Sequence, residues 1–224
     1  MPAQIDVDAT FEEIEDQVVF TIAALGADPD AADFLPLTAG WLDRVSEARS
    51  KSLAIRQTVA KADAERIIAN GRLDAACVAF ADGLFLAVGK DRTSARWRTF
   101  FSSTVSTFIR QALDRQVNTV KGWLALPSDQ AFEPHRAALL KWSNAAANAL
   151  TKSAESAALR GQAWQSREAL ATALTRERDG LAEALAAHAR EKGLPRDWSA
   201  MFFLVRKSTN RSDGASAPVA PPAS

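Results

Sequence analysis

Apolar residues recur at helical intervals along most of the chain. Phe11, Ile14, Val18 and Ile22 fall three and four apart and predict a first helix over about 10–25. Thr10 is its natural N-cap, and Glu13 completes a capping box. Gly26 and Pro29 end it. Pro36 opens a second helical pattern that runs to Ala69. Its seam is Trp41, Val45, Ala48, Ser52, Ile55, Val59, Ala62 and Ala69, a heptad-like series of small residues suited to close helix pairing. Asn70-Gly71 reads as a stop or hinge. A third stripe follows in Leu73, Cys77, Phe80 and Leu84, closed by Gly89 as a C′ residue and a turn at Lys90-Asp91-Arg92.

Thr93 or Ser94 caps a fourth helix. Its stripe of Trp97, Phe101, Val105, Phe108, Ala112, Val117 and Val120 continues until Leu126-Pro127 forces an end. Ser128-Asp129 begins a polar turn. The longest pattern then runs over 134–191, with Leu139, Trp142, Ala146 and Ala149 early and Leu170, Leu174, Leu181 and Leu185 late. Gly161 and Gly180 mark breaks within it. Gly193 and Pro195 stop it, and Asp197 caps a short amphipathic piece from Trp198 to Val205. Residues 207–224 lose the apolar period and read as a disordered tail.

These elements predict an all-α protein: an elongated antiparallel bundle of five or six helices, partly coiled-coil-like, forming one domain over 1–206. A 34-residue helix at about 1.5 Å per residue reaches about 50 Å, hence the expected elongation. Composition agrees with the class. Of the 224 residues 46 are Ala, 10 are Gly, 9 are Pro and none is Tyr. No apolar run approaches the roughly 18–20 residues of a membrane span. The opening Met1-Pro2-Ala3-Gln4-Ile5-Asp6 lacks the basic and apolar regions of a secretory leader. Cys77, the single thiol, rules out an internal disulfide and points to a reducing, cytoplasmic location. Gly40-Trp41-Leu42 and Gly122-Trp123-Leu124 echo one another and raise the question of a duplicated hairpin.

Charge changes the picture. Lys and Arg together equal Asp and Glu, 27 each, which disfavours a globally basic nucleic-acid binder. The zero hides a division. Up to Asp33 there are nine acids and no Lys or Arg, so the remainder carries a surplus of nine positive charges. The stretch Lys90–Lys121 holds seven basic residues against Asp91 and Asp114. Arg92, Arg96 and Arg98 surround Trp97. The acidic first helix is expected against a basic surface, its own or a neighbour's. In the alternative, this basic segment meets nucleic acid, with Arg neutralising phosphate and Trp97 stacking. Trp97 also belongs to the apolar stripe, which argues against stacking. A second patch, Trp198, Phe202 and Phe203 with Met201 and Leu204, docks on the bundle or anchors another chain.

No catalytic signature emerges. Gly83 to Lys90 has five residues between its glycines and Asp91 after the Lys, where a phosphate loop needs four and then Ser or Thr. The only histidines, His135 and His188, are preceded three residues earlier by Phe132 and Leu185, so the Glu-x-x-His pairs of a di-iron bundle are missing. One Cys cannot build the usual zinc sets. Cys77, on an apolar stripe, is expected to be a small buried hydrophobe. No cofactor or metal is expected. The expected function is non-catalytic: a helical interaction or scaffolding protein that self-associates. An enzyme survives only with a site assembled from distant residues.

Three segments carry a resemblance: Asp91-Arg92-Thr93-Ser94-Ala95-Arg96-Trp97-Arg98-Thr99-Phe100-Phe101, Gly71-Arg72-Leu73-Asp74-Ala75, and Leu194-Pro195-Arg196-Asp197-Trp198 with Phe202-Phe203. Together they resemble uncharacterised helical proteins of similar length from bacteria, myxobacteria among them. The resemblance implies a shared helical fold and no established activity.

Overall fold

The structure, a computed structural model, describes residues 4–127 and 129–204. Val205, the expected tail 207–224 and Ser128 lie outside the described residues. Among the described residues every regular element is helical: α1 (Phe11–Ala27), a 3-10 segment (Ala32–Thr38), α2 (Trp41–Ala87), α3 (Ala95–Phe100), α4 (Val105–Ile109), α5 (Leu113–Leu124), α6 (Glu133–Lys192) and a 3-10 segment (Trp198–Phe202). The protein is all-α, as its periodicity requires. Within the span read from sequence as one domain, the chain gathers into two compact units. Of the described residues, unit 1 takes 4–49 and 166–204, and unit 2 takes 50–127 and 129–165. Both long helices, α2 and α6, contribute to both.

In unit 1 the capping box forms as expected. Thr10 Oγ1 accepts from the Glu13 N–H, and the Glu13 carboxylate accepts from the Thr10 N–H at 2.8 Å. Ile14, Val18 and Leu25 of α1 are buried with Trp41, Leu174, Leu181 and Leu185. One cation lies in this unit's interior. Arg178, 1% exposed, donates from Nη1 to Gln17 Oε1 at 2.7 Å and lies 5.4 Å over the Phe203 ring. Desolvation pulls its guanidinium down to about 10. Nearer the surface, Arg44 makes a bidentate contact with Glu177, which lowers that carboxyl below its ordinary range. Glu15 of the acidic first helix meets Arg49 at 2.8 Å.

Unit 2 has an aromatic core. Phe80 sits with ring centroids 5.0 Å from Phe100, 5.1 Å from Phe132, 5.6 Å from Trp123 and 5.8 Å from Phe101. Glu65 pairs with Lys152 at 2.6 Å, and Gly83 faces His135, so α2 and α6 run antiparallel in this unit. A Cβ at Gly83 would stand 2.7 Å from His135 Nε2, which explains Gly there.

Several expectations are corrected. The 3-10 segment takes in Pro36, and α2 begins only at Trp41, after Gly40 turns the chain at φ +76. Asn70-Gly71 does not interrupt α2. Ala69 and Leu73 on either side are buried, and the Asn70 amide donates to Asp74 Oδ2 at 3.0 Å, one turn on. Tertiary burial outweighs the local stop signal. Gly161 and Gly180 likewise lie within an unbroken α6. The fourth helix, read as continuous to Pro127, is three pieces. Phe100 and Phe101 are adjacent, about 100° apart on a helix, yet both are buried. Phe101 turns to extended backbone, and Thr104 caps α4 by accepting from the Thr107 N–H. Buried Gln116 then donates to the carbonyls of Ile109 and Gln111, tying the turn into α5. Asp197 makes no side-chain cap to the final 3-10 segment. The two Gly-Trp-Leu triplets differ too: Gly40 precedes a helix at positive φ, whereas Gly122 lies inside α5.

Candidate interaction surfaces

The basic cluster around Trp97 separates into residues with different tasks. Arg96 forks onto Asp129, Nε to Oδ2 at 2.9 Å and Nη2 to Oδ1 at 2.6 Å. This contact holds the Asp129 carboxyl below its ordinary range, and Asp129 also accepts from the Ala131 N–H at 2.8 Å. Arg96 therefore ties α3 to the turn before α6 and is not a free surface cation. Trp97 is 4% exposed, between Phe85 and Phe101 at 6.0 and 5.1 Å. Its ring is spent on the core, as its place in the apolar stripe leads one to expect, and is not offered to a base. Arg92 and Arg98 are exposed. Ser94 Oγ accepts from the Trp97 N–H and starts α3, and this places Arg98 on the helix's outer side.

Of the two readings of the second patch, the structure shows docking on its own unit and not an open anchor. Trp198, Phe202 and Phe203 are all buried in unit 1. Trp198 Nε1 donates to Asp28 Oδ2 at 2.8 Å, and its ring lies 4.8 Å from Phe202. Apolar bulk and a satisfied indole N–H hold the segment on its own unit. Only Met201 of the cluster remains well exposed, at 58%.

A surface that sequence reading passed over lies on α2 within unit 2. Leu53, Ile67 and Val78 are exposed at 49%, 65% and 37%. Ala60, Ala64 and Gly71 between them are exposed as well. At about 100° per residue these six fall within about 40° of one line along the helix. The buried residues Val59, Ala62, Ala69, Leu73 and Phe80 fall roughly opposite. Helix α2 thus carries two apolar stripes back to back. Ile68, 61% exposed, flanks the outer one. Gly71 has nothing within 4 Å of where a Cβ would stand, so its own unit gives no reason for Gly inside a helix.

The groups with chemical potential are scattered. Cys77 is fully buried, and burial beside Asp74 pushes its thiol up to about 12, which makes it unreactive. His135 lies beside Phe80, and His188 lies against Phe34 and Trp198. Among the described residues no three His, Cys, Asp or Glu come together as a metal would require. None of their helices is long and apolar enough to cross a membrane. No protein-family model, curated protein or solved structure matches the chain.

Proposed function

We propose that this chain is a non-catalytic interaction protein that associates with a second copy of itself through the outer stripe of α2. The observation that carries the reading is the stripe's symmetry. Leu53, Ala60 and Ala64, read forward, stand at the same distances from its centre as Val78, Gly71 and Ile67 read backward. A two-fold interface brings the same surface of each copy together in opposite directions. Leu53 then meets the partner's Val78, Ala60 meets the partner's Gly71, and Ala64 receives the partner's Ile67. Leu53 and Val78 lie at the ends, and Ala60, Ala64 and Gly71 between them leave room for the opposing backbone and for the partner's Ile67. Gly71, without a neighbour in its own unit, gains a reason: another backbone approaches there.

Light scattering on the full chain tests this. The expected mass is about twice the 24.1 kDa of one chain at micromolar concentration. Ile67→Glu is expected to return the mass to that of a monomer while far-UV circular dichroism stays unchanged. A monomeric wild type, or a dimer indifferent to Ile67→Glu, overturns the proposal.

A further inference from the structure

Arg92 and Arg98 line a surface recess of about 420 Å³ in unit 2, floored by Trp97 and Phe101. Ser102 and Ser103, from the break between α3 and α4, and Ser106, in the first turn of α4, form the hydroxyl-bearing side. We propose that this recess binds a small organic molecule through a phosphoryl group held by Arg92, Arg98 and these hydroxyls.

Four observations converge on it. First, the two guanidiniums have no salt-bridge partner among the described residues, while the neighbouring Arg96 is committed to Asp129. Two cations facing one recess repel each other, and an anion between them removes that cost. Second, Arg92 is held in place without a carboxylate. Its guanidinium lies 4.7 Å from the Phe85 ring centroid and 5.7 Å from that of Trp97. Cation–π contact fixes the group and leaves its charge and its fork of donors free. Third, the nearest acid in sequence, Asp91, is bonded first to its own turn and meets Arg98 only through space, beyond ion-pair distance. Its Oδ1 accepts from the Thr93 N–H at 2.7 Å and from Thr93 Oγ1 at 2.6 Å. Fourth, the exposed Ser102 and Ser106 hydroxyls supply further donors, Ser103 Oγ already donating to the Thr104 carbonyl, and half-buried Val105 supplies apolar surface. A tetrahedral oxyanion with an organic body matches that mixture. The volume falls within the range of about 300–1,000 Å³ typical of small-molecule sites. A nucleic-acid strand would instead want an open groove and an exposed aromatic face, which Trp97 does not offer.

Isothermal titration of the full chain tests the site with four probes: inorganic phosphate, a hexose monophosphate, a nucleoside monophosphate and a single-stranded oligonucleotide. At least one organic monophosphate is expected to bind more tightly than inorganic phosphate. Arg98→Gln is expected to weaken it about tenfold, the effect of losing one charge-assisted contact. Ser106→Ala, which leaves both cations in place, is expected to weaken it less. Circular dichroism melts of both variants should match wild type, because neither side chain is in the core. The proposal is overturned if no monophosphate binds at millimolar concentration, if binding is indifferent to Arg98→Gln, or if only the oligonucleotide binds.

Discussion

The interiors of the two units solve the same problem with different chemistry. Unit 2 gathers rings. Phe80 touches four other aromatic residues, and the short helices α3 to α5 bring most of them inward. Unit 1 packs aliphatic seams against Trp41, Trp198, Phe202 and Phe203 and admits a guanidinium, Arg178, kept in place by Gln17 and Phe203. A ring cluster draws its stability from area and shape, so it tolerates irregular backbone as long as the rings meet. A buried cation draws its tolerance from partners, so it demands a regular scaffold that holds each donor in register. The broken helices occur in unit 2 and the buried cation in unit 1.

The largest expected effect tests the aromatic side of that contrast. Phe80→Ala should cost about 3–5 kcal/mol, measured by urea unfolding, and should flatten the near-ultraviolet signal of Trp97 and Trp123. A loss below about 1 kcal/mol would show that the cluster collapses around the gap and that its ring geometry is incidental. Next comes the cation. Gln17→Leu removes one acceptor from Arg178 and should cost about 2 kcal/mol. The double variant Gln17→Leu/Arg178→Met should recover most of it, because a buried charge with its partner can be replaced together by apolar residues at little cost. Failure of the double variant to recover would mean that Arg178 stabilises unit 1 beyond its own desolvation.

The smallest effects come from two glycines that look alike in sequence. Gly83→Ala should destabilise by about 1–3 kcal/mol, since its Cβ meets the His135 ring. Gly180→Ala meets open space and should stabilise by up to about 1 kcal/mol. Thermal melts of the two variants should therefore move in opposite directions. Equal shifts would remove the distinction between a glycine required by packing and one that is merely tolerated.

Much of this fold is legible in the chain itself. Thr10 and Glu13 announce α1, and Gly89 and Gly193 both stand at positive φ where the long helices end. What sequence misjudges is the balance between a local signal and a distant one. Asn70-Gly71 is a good stop signal in isolation, but the burial of Ala69 and Leu73 is decided by residues far along the chain. The split at Phe101 fails in the opposite sense. The apolar period runs straight through it, and only the run Ser102-Ser103-Thr104, rich in residues that bond their own backbone, hints that the helix stops. Arg92 and Arg98 are visible as charge, whereas their recess exists because of that stop. The outer stripe of α2 is masked in sequence by the stronger inner one, although the 3-4 spacing of Ala60, Ala64, Ile67 and Gly71 is there to read.

Cys77 gives unit 2 an internal clock. A thiol at zero exposure, three residues before Phe80, reaches a labelling reagent only when the surrounding helices part. Its modification rate, compared with that of a free thiol under the same conditions, therefore reads the opening equilibrium of this unit alone. Because the chain has no other cysteine, the signal needs no mutagenesis, and it times the aromatic core without disturbing it.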